Sequence, residues 1–146
     1  MNKKRIYFFF SLLIFIFFLI FLISLSNRHY KYVVKTSQIT KNVLLIVKGD
    51  KVLKYIIYTE SKYSKLNLES LKLIYKNNYS NIKGIKYVIE YDDLKQILKI
   101  YLDIDFTKVD LDELTIKRIL LTKEVEYLSL SYVENLLLKE GYKKER

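Results

Sequence analysis

The chain has 146 residues, about half of them apolar, with 26 lysines and arginines against 16 acids and no cysteine, proline or tryptophan. That length allows one domain plus an appendage, and the lack of cysteine excludes disulfides, thiol chemistry and thiolate metal sites. The net charge of +10 sits near the N-terminus: eight basic residues precede the first acid, Asp50, and the remainder holds 18 basic and 16 acidic residues. A nucleic-acid-binding domain carries its basic face on the folded body, so nucleic acid is not the expected partner.

The first element in chain order is a run of membrane-spanning length. After Lys3, Lys4 and Arg5, the stretch from Ile6 to Ser26 is uncharged and has no polar face. Roughly twenty helical residues span about 30 Å, the thickness of a bilayer's hydrocarbon core. The run therefore predicts a transmembrane segment or signal sequence over residues 1–26. Ser24-Leu25-Ser26 permits cleavage after Ser26, which would give a secreted protein. The run is longer than the apolar region of a typical signal peptide, which favours an uncleaved anchor. Residues 27–42 read as a basic juxtamembrane segment and first strand. Arg28, Lys31 and Lys35 there, with Tyr30 and Tyr32 as interfacial aromatics, flank the bilayer from one side. Lys3, Lys4 and Arg5 flank it from the other. Anionic lipid headgroups or anionic wall polymers are the expected neighbours of residues 27–48. The two basic flanks nearly balance, so charge alone does not set the orientation.

Beyond this, "NVLLIVKGDKVLKYIIYT" predicts a hairpin turning at Gly49-Asp50. "NLESLKLIYKNNY" predicts a helix over Leu68–Asn78 capped by Asn67, with Leu68, Leu71, Ile74 and Tyr75 on one face. Alternation then resumes after Gly84. Ile85, Tyr87, Ile89 and Tyr91 share a face, Asp92-Asp93 begins a turn, and Leu98, Ile100, Leu102, Ile104 and Phe106 line the return strand. Lys99, Tyr101, Asp103 and Asp105 fall on the opposite, wet face. Ser131 and Glu134 form a capping box for a last helix over Tyr132–Glu140, which Gly141 ends in a left-handed conformation. Between Lys117 and Leu130 the signals conflict and no element is assigned. The class is α+β: an antiparallel sheet of hairpins with two or three helices packed on it, preceded by a transmembrane or signal-anchor helix.

The landmarks "KGDKV" at Lys48 to Val52, "IKGIKYVIEYDD" at Ile82 to Asp93, "DFTKVDLDEL" at Asp105 to Leu114 and "ENLLLKEGYKK" at Glu134 to Lys144 together resemble the YehR-like family, small bacterial cell-envelope lipoproteins of unknown function. The resemblance covers residues 43–146. It implies an exported α+β domain with no catalytic residues to carry over, and it places the domain outside the cytoplasmic membrane. Members are typically anchored through a lipidated cysteine, which this chain lacks, so the phenylalanine-rich run is expected to replace it.

The stretch from Leu102 to Leu114 gathers five carboxylates. Asp103 and Asp105 alternate on a strand. Thr107 stands three residues before Asp110, and Asp110, Asp112 and Glu113 fall in a helix's first turn, where negative charge offsets the dipole. No glycine lies between Gly84 and Gly141 to bend a calcium loop, and no metal or other cofactor is expected. Serine–histidine and cysteine–histidine catalysis lack their residues, since the single histidine is His29 at the membrane edge. The expectation is a non-catalytic, membrane-anchored extracytoplasmic module that interacts with an envelope component, including an unidentified envelope protein. The alternative is an envelope hydrolase or metal-dependent enzyme using carboxylates near Asp92 and over Asp103–Glu113. Eleven of the fourteen tyrosines lie beyond residue 50. They read as core packing in a Lys-, Ile-, Asn- and Tyr-rich composition rather than as a sugar-stacking platform.

Overall fold

The structure, a computed structural model, describes residues 3–116 and 126–145, and of the first helix it describes side chains over 11–22. Helix α1 (Lys3–Leu25) precedes β1 (Arg28–Lys35), β2 (Ile39–Lys48) and β3 (Lys51–Lys62). A short turn of tight helix at Lys65–Asn67 leads into α2 (Leu68–Tyr79), followed by β4 (Ile85–Asp92) and β5 (Ile97–Asp105). Then come α3 (Leu111–Ile116), α4 (Leu130–Lys139) and β6 (Lys143–Lys144). Along 11–22 the α1 side chains are exposed, and among the described residues no helix is long and apolar enough to cross a membrane.

The strands form one antiparallel sheet in the order β4-β5-β3-β2-β1-β6. Register explains its two faces, because side chains directly opposite one another share a side. Tyr32, Val43, Ile57, Leu102 and Tyr87 line up across five strands, and Tyr30, Leu45, Tyr55, Ile104 and Ile85 form the next row. This face carries the helices. The other face shows Val33, Asn42, Tyr58, Tyr101 and Val88 in one row and Lys35, Thr40, Glu60, Lys99 and Glu90 in another. Burial of the covered rows, at about 1.5–3 kcal/mol for each fully enclosed side chain, is the main source of stability. The α+β class and the antiparallel pairing follow the sequence pattern.

Several local readings are corrected. The last helix begins two residues earlier than its capping box predicts: Ser129 is the cap, its Oγ accepting the Tyr132 amide at 3.2 Å. Glu134 is released from capping and turns to the sheet. The C-terminal end is as expected, since Gly141 has φ +85° and the Tyr142 and Gly141 amides return to the Leu137 and Leu138 carbonyls. In α2, Asn67 makes no side-chain cap, and Ile74 is 53% exposed while Tyr79 turns inward. The inward set is thus Leu68, Leu71, Tyr75 and Tyr79. Of the expected core, Ile100, Leu102 and Phe106 are buried, whereas Ile85 and Ile89 are half-buried because β4 is an edge strand. Thr107 is not the α3 cap. Asp110 is, with its Oδ1 accepting the Asp112 amide at 3.0 Å. Strand β6, which closes the sheet beside β1, carries too few residues for any period to reveal it. Of the stretch left unassigned, 117–125 lie outside the described residues. Leu128 is buried, and it and Leu130 bond the Gly49-Asp50 hairpin through Val52 N and Asp50 O.

Gly84 is needed for space as well as conformation. Its φ is +91°, and a Cβ there would meet Lys108 Cβ and Val109 Cγ2 at 2.9 Å, where the turn after β5 packs on the start of β4.

Candidate binding groove

The residues singled out in the sequence do not converge on one place. Arg28 donates from Nη2 to the Gly49 carbonyl at 2.8 Å, pinning the hairpin tip beside the start of β1. Lys31 and Lys35 are exposed on the open face of the sheet. Tyr30 is half-buried under the Lys144 ammonium, 4.5 Å from the ring centre. Tyr32 is not an interfacial aromatic: it is 1% exposed, and its hydroxyl donates to Glu134 Oε1 at 3.0 Å. Burial raises its pKa, and the Glu134 carboxylate adds to the effect. The side chains of Lys3, Lys4 and Arg5 lie outside those described.

The acidic stretch resolves into turn chemistry at separate points. Asp92 Oδ1 accepts the Leu94 and Lys95 amides, and Asp93 pairs with Lys65 at 2.7 Å. Asp103 lies toward the other end of β5, opposite Lys86 of β4 rather than Asp92, about 20 Å along the strands. Asp105, expected on the wet face, is only 7% exposed. Its Oδ1 accepts from the Thr107 amide and hydroxyl, and Lys108 Nζ lies 3.1 Å from Oδ2. Burial pushes its carboxyl up, but the hydrogen bonds from Thr107 and Lys108 outweigh that and hold it below the ordinary value. Lys54 lies between Asp103 and Asp105, 3.9 Å from each. Asp103 Oδ1 is buried without a hydrogen-bond partner. Among the described residues no group of His, Cys, Asp and Glu could hold a metal ion.

What the fold does bring together is tyrosine. Between α2 and the C-terminal end of α4 runs a groove of about 250 Å³. Its floor is sheet: Tyr55, Ile57, Thr59, Ile100 and Leu102. Tyr75 and Tyr79 of α2 form one wall, and Glu140 and Tyr142, just past α4, form the other with Lys41 at the rim. Each side has a local cause. Tyr75 and Tyr79 are four residues apart and so stand one above the other on α2, their rings 5.2 Å apart and each tilted against Tyr87 of β4. Tyr142 is turned in by the left-handed Gly141 that ends α4.

The electrostatics are those of a phenol-rich recess. Burial raises the hydroxyl pKa of Tyr55, Tyr75, Tyr79 and Tyr142, and the Glu140 carboxylate adds to it at Tyr55 and Tyr142. All four therefore stay protonated at neutral pH as both donors and acceptors. Among the described residues no side chain hydrogen-bonds any of the four, and neither Lys41 nor Glu140 is in an ion pair. A larger cleft, about 600 Å³, opens among Gln38, Lys62, Tyr63, Lys65, Tyr91 and Lys95, but its Lys65 and Lys95 are engaged by Asp93 and Asp92. Sequence reading placed the tyrosines in the core. The usable signal was the Tyr75–Tyr79 spacing together with the Gly141-Tyr142 ending.

Comparison with known proteins fits this architecture. The family model for proteins of unknown function, DUF1307, matches residues 28–143. The chain belongs to the DUF1307 family. The match begins at Arg28, where β1 begins, so the first strand is part of the DUF1307 unit. No curated protein matches the chain. The NMR structure of E. coli YehR superposes with a TM-score of 0.66 at 19% identity, covering 82% of this chain and 91% of that one. An NMR structure of a protein from Streptococcus pneumoniae TIGR4 gives 0.58 at 12% identity, covering 82% and 86%. The domain is thus YehR-like. At such identities the likeness establishes the fold alone.

Proposed function

We propose that this DUF1307 protein is a membrane-anchored, extracytoplasmic module that binds an envelope component in the groove between α2 and α4 and performs no catalysis. The observation that carries the binding reading is the groove itself: four phenolic hydroxyls without side-chain partners, a lysine and a carboxylate, all over an apolar floor. Such a lining orients a ligand but holds no activated nucleophile and no acid–base pair. The anchor reading is supported by the uncharged run from Ile6 to Ser26, long enough for a bilayer core, and by the absence of any cysteine to lipidate. Helix α1 ends at Leu25 and β1 starts at Arg28, so the hairpin tip pinned by Arg28 would lie at the membrane side. Its Lys48 and Lys51 face one another across the turn, an arrangement that nearby anionic headgroups relieve.

Because the chain has no cysteine, a single Ser37→Cys variant reports topology without background. In intact cells a membrane-impermeant maleimide should label it, alkaline carbonate should leave it in the membrane pellet, and intact mass should include residues 1–26. A mature N-terminus at Asn27, or labelling only after lysis, sinks the anchor. For the binding half, NMR signals of Tyr75 and Tyr142 in the full chain in detergent micelles should shift on adding solubilised wall material. Those of Val88 on the open face should not. Unmoved tyrosine signals sink that half.

A further inference from the structure

The groove's ligand class follows from matching donors, acceptors and apolar surface, and it rests on the binding reading above. Four tyrosine hydroxyls can each give and accept one hydrogen bond, which suits a ligand whose own groups do both. Sugar hydroxyls have that property, and the faces of a sugar ring present C–H groups suited to aromatic rings such as Tyr75 and Tyr79. Two rim groups narrow the choice. Glu140 is a pure acceptor and Lys41 a pure donor, and both line the same recess. A secondary amide offers each its complement, an N–H for the carboxylate and a carbonyl for the ammonium. Ile57, Ile100 and Leu102 in the floor provide apolar contact for a methyl group on that amide. The volume, about 250 Å³, lies just under the roughly 300–1,000 Å³ of sites for drug-sized molecules, so it holds about one ring.

We infer that the groove between α2 and α4 binds an N-acetylhexosamine unit, with the ring against Tyr75 and Tyr79, the acetamido N–H to Glu140 and its carbonyl to Lys41. An anionic sugar would satisfy Lys41 but repel Glu140, and a plain hexose can meet the rim groups only through hydroxyls, without the amide's fixed N–H and carbonyl or its methyl group. The mouth lies on the half of the sheet away from Arg28, since Lys41 is six residues along β2 from Val47, which Arg28 faces. A chain held by α1 could therefore reach a polymer standing off the membrane.

The test uses the full chain in detergent micelles with two disaccharides that differ by the acetamido groups, chitobiose and cellobiose. Chitobiose should shift the Tyr75, Tyr79 and Tyr142 signals with a dissociation constant on the order of 1 mM, as a small polar ligand with few contacts gives, and cellobiose should bind at least about tenfold more weakly. Glu140→Ala, at an exposed position, should cost about tenfold for chitobiose and clearly less for cellobiose. Equal binding of the two sugars, or an unaltered chitobiose titration in Glu140→Ala, overturns the assignment. If wall material moves the groove tyrosines while chitobiose does not, the ligand class is wrong and the binding module stands. If neither moves them, both readings fall.

Discussion

Helices α4 and α2 lie on the same face of one sheet but are held by different means. α4 sinks Val133 and Leu137 into the cluster that runs from Tyr32 through Ile104, and it is closed at both ends by Ser129 and the Gly141 turn. α2 fully buries only Leu68, starts without a side-chain cap, and leans Leu71 and Tyr75 on a small cluster of Leu68, Leu98 and Ile100. The groove between them therefore has one fixed wall and one adjustable wall. On the proposed binding reading, discrimination would come from the floor and the α4 side, with α2 adjusting to the ligand.

The largest effect should separate the two helices directly. Leu137 is 2% exposed, so Leu137→Ala removes buried surface and leaves a cavity, at a cost of about 2–5 kcal/mol. Leu71→Ala, at a half-buried position, should cost about 1 kcal/mol. Urea denaturation followed by circular dichroism gives both numbers, and equal losses would break the contrast. Native-state hydrogen exchange sharpens it without mutation. Amides of α4 should exchange only with global unfolding, and those of α2 at least tenfold faster through local opening. Matching protection in the two helices would mean that the groove has two rigid walls.

A smaller difference should separate the caps. Ser129→Ala removes the acceptor for the Tyr132 amide and should cost about 1 kcal/mol, whereas Asn67→Ala, which breaks no cap, should stay within about 0.5 kcal/mol. Thermal melts of the two variants decide this.

These caps also mark where sequence reading works and where it stops. Alternation at Ile85–Tyr91 and Leu98–Phe106 set both strands and their inward faces, because a period of two survives any tertiary context that covers one face. The Gly49-Asp50 turn and the Gly141 terminator were legible for the same local reason: backbone geometry demands those residues. The cap of α4 was not, because Ser129 and Ser131 both satisfy the local rule. What decides between them is tertiary: Glu134 is bound by Tyr32 and Lys144, and Leu128 is held against the Gly49-Asp50 hairpin. Asp105 was misplaced on the wet face because alternation assigns a side but not how much of it is enclosed, and Lys54 and the 107–109 turn enclose that end. The groove was least legible of all. Tyr55, Tyr75, Tyr79 and Tyr142 come from three segments, and only the packed sheet brings them to one recess.

The smallest expected effect concerns how α4 is tied to the sheet edge. Glu134 accepts from Lys144 Nζ at 2.9 Å and from the Tyr32 hydroxyl at 3.0 Å, which joins α4 to β1 and β6. The Lys144 hydrogen bond lowers its pKa most; burial opposes this, and the Tyr32 bond adds to the lowering. A carboxyl depressed in the folded state contributes stability that is fully present above its unfolded value, about 4.3, and is lost as pH falls through the folded value. Between those two values the unfolded chain binds more protons, so stability rises with pH there. Lys144 is partly exposed, which keeps the contribution small and sensitive to salt. In Glu134→Gln the amide oxygen still accepts from Tyr32 but the charge is gone. The variant should be slightly less stable than the natural chain at pH 7, and the gap should close below about pH 4, where the natural carboxylate is itself being protonated. The corresponding substitution on α2, Glu69→Gln, alters only a solvent-exposed pair with Lys72 and should change stability by less than about 0.5 kcal/mol. A gap for Glu134→Gln that is constant from pH 3 to pH 7 would mean that the carboxylate's charge does not secure α4, and the fixed wall would then rest on apolar burial and its caps alone.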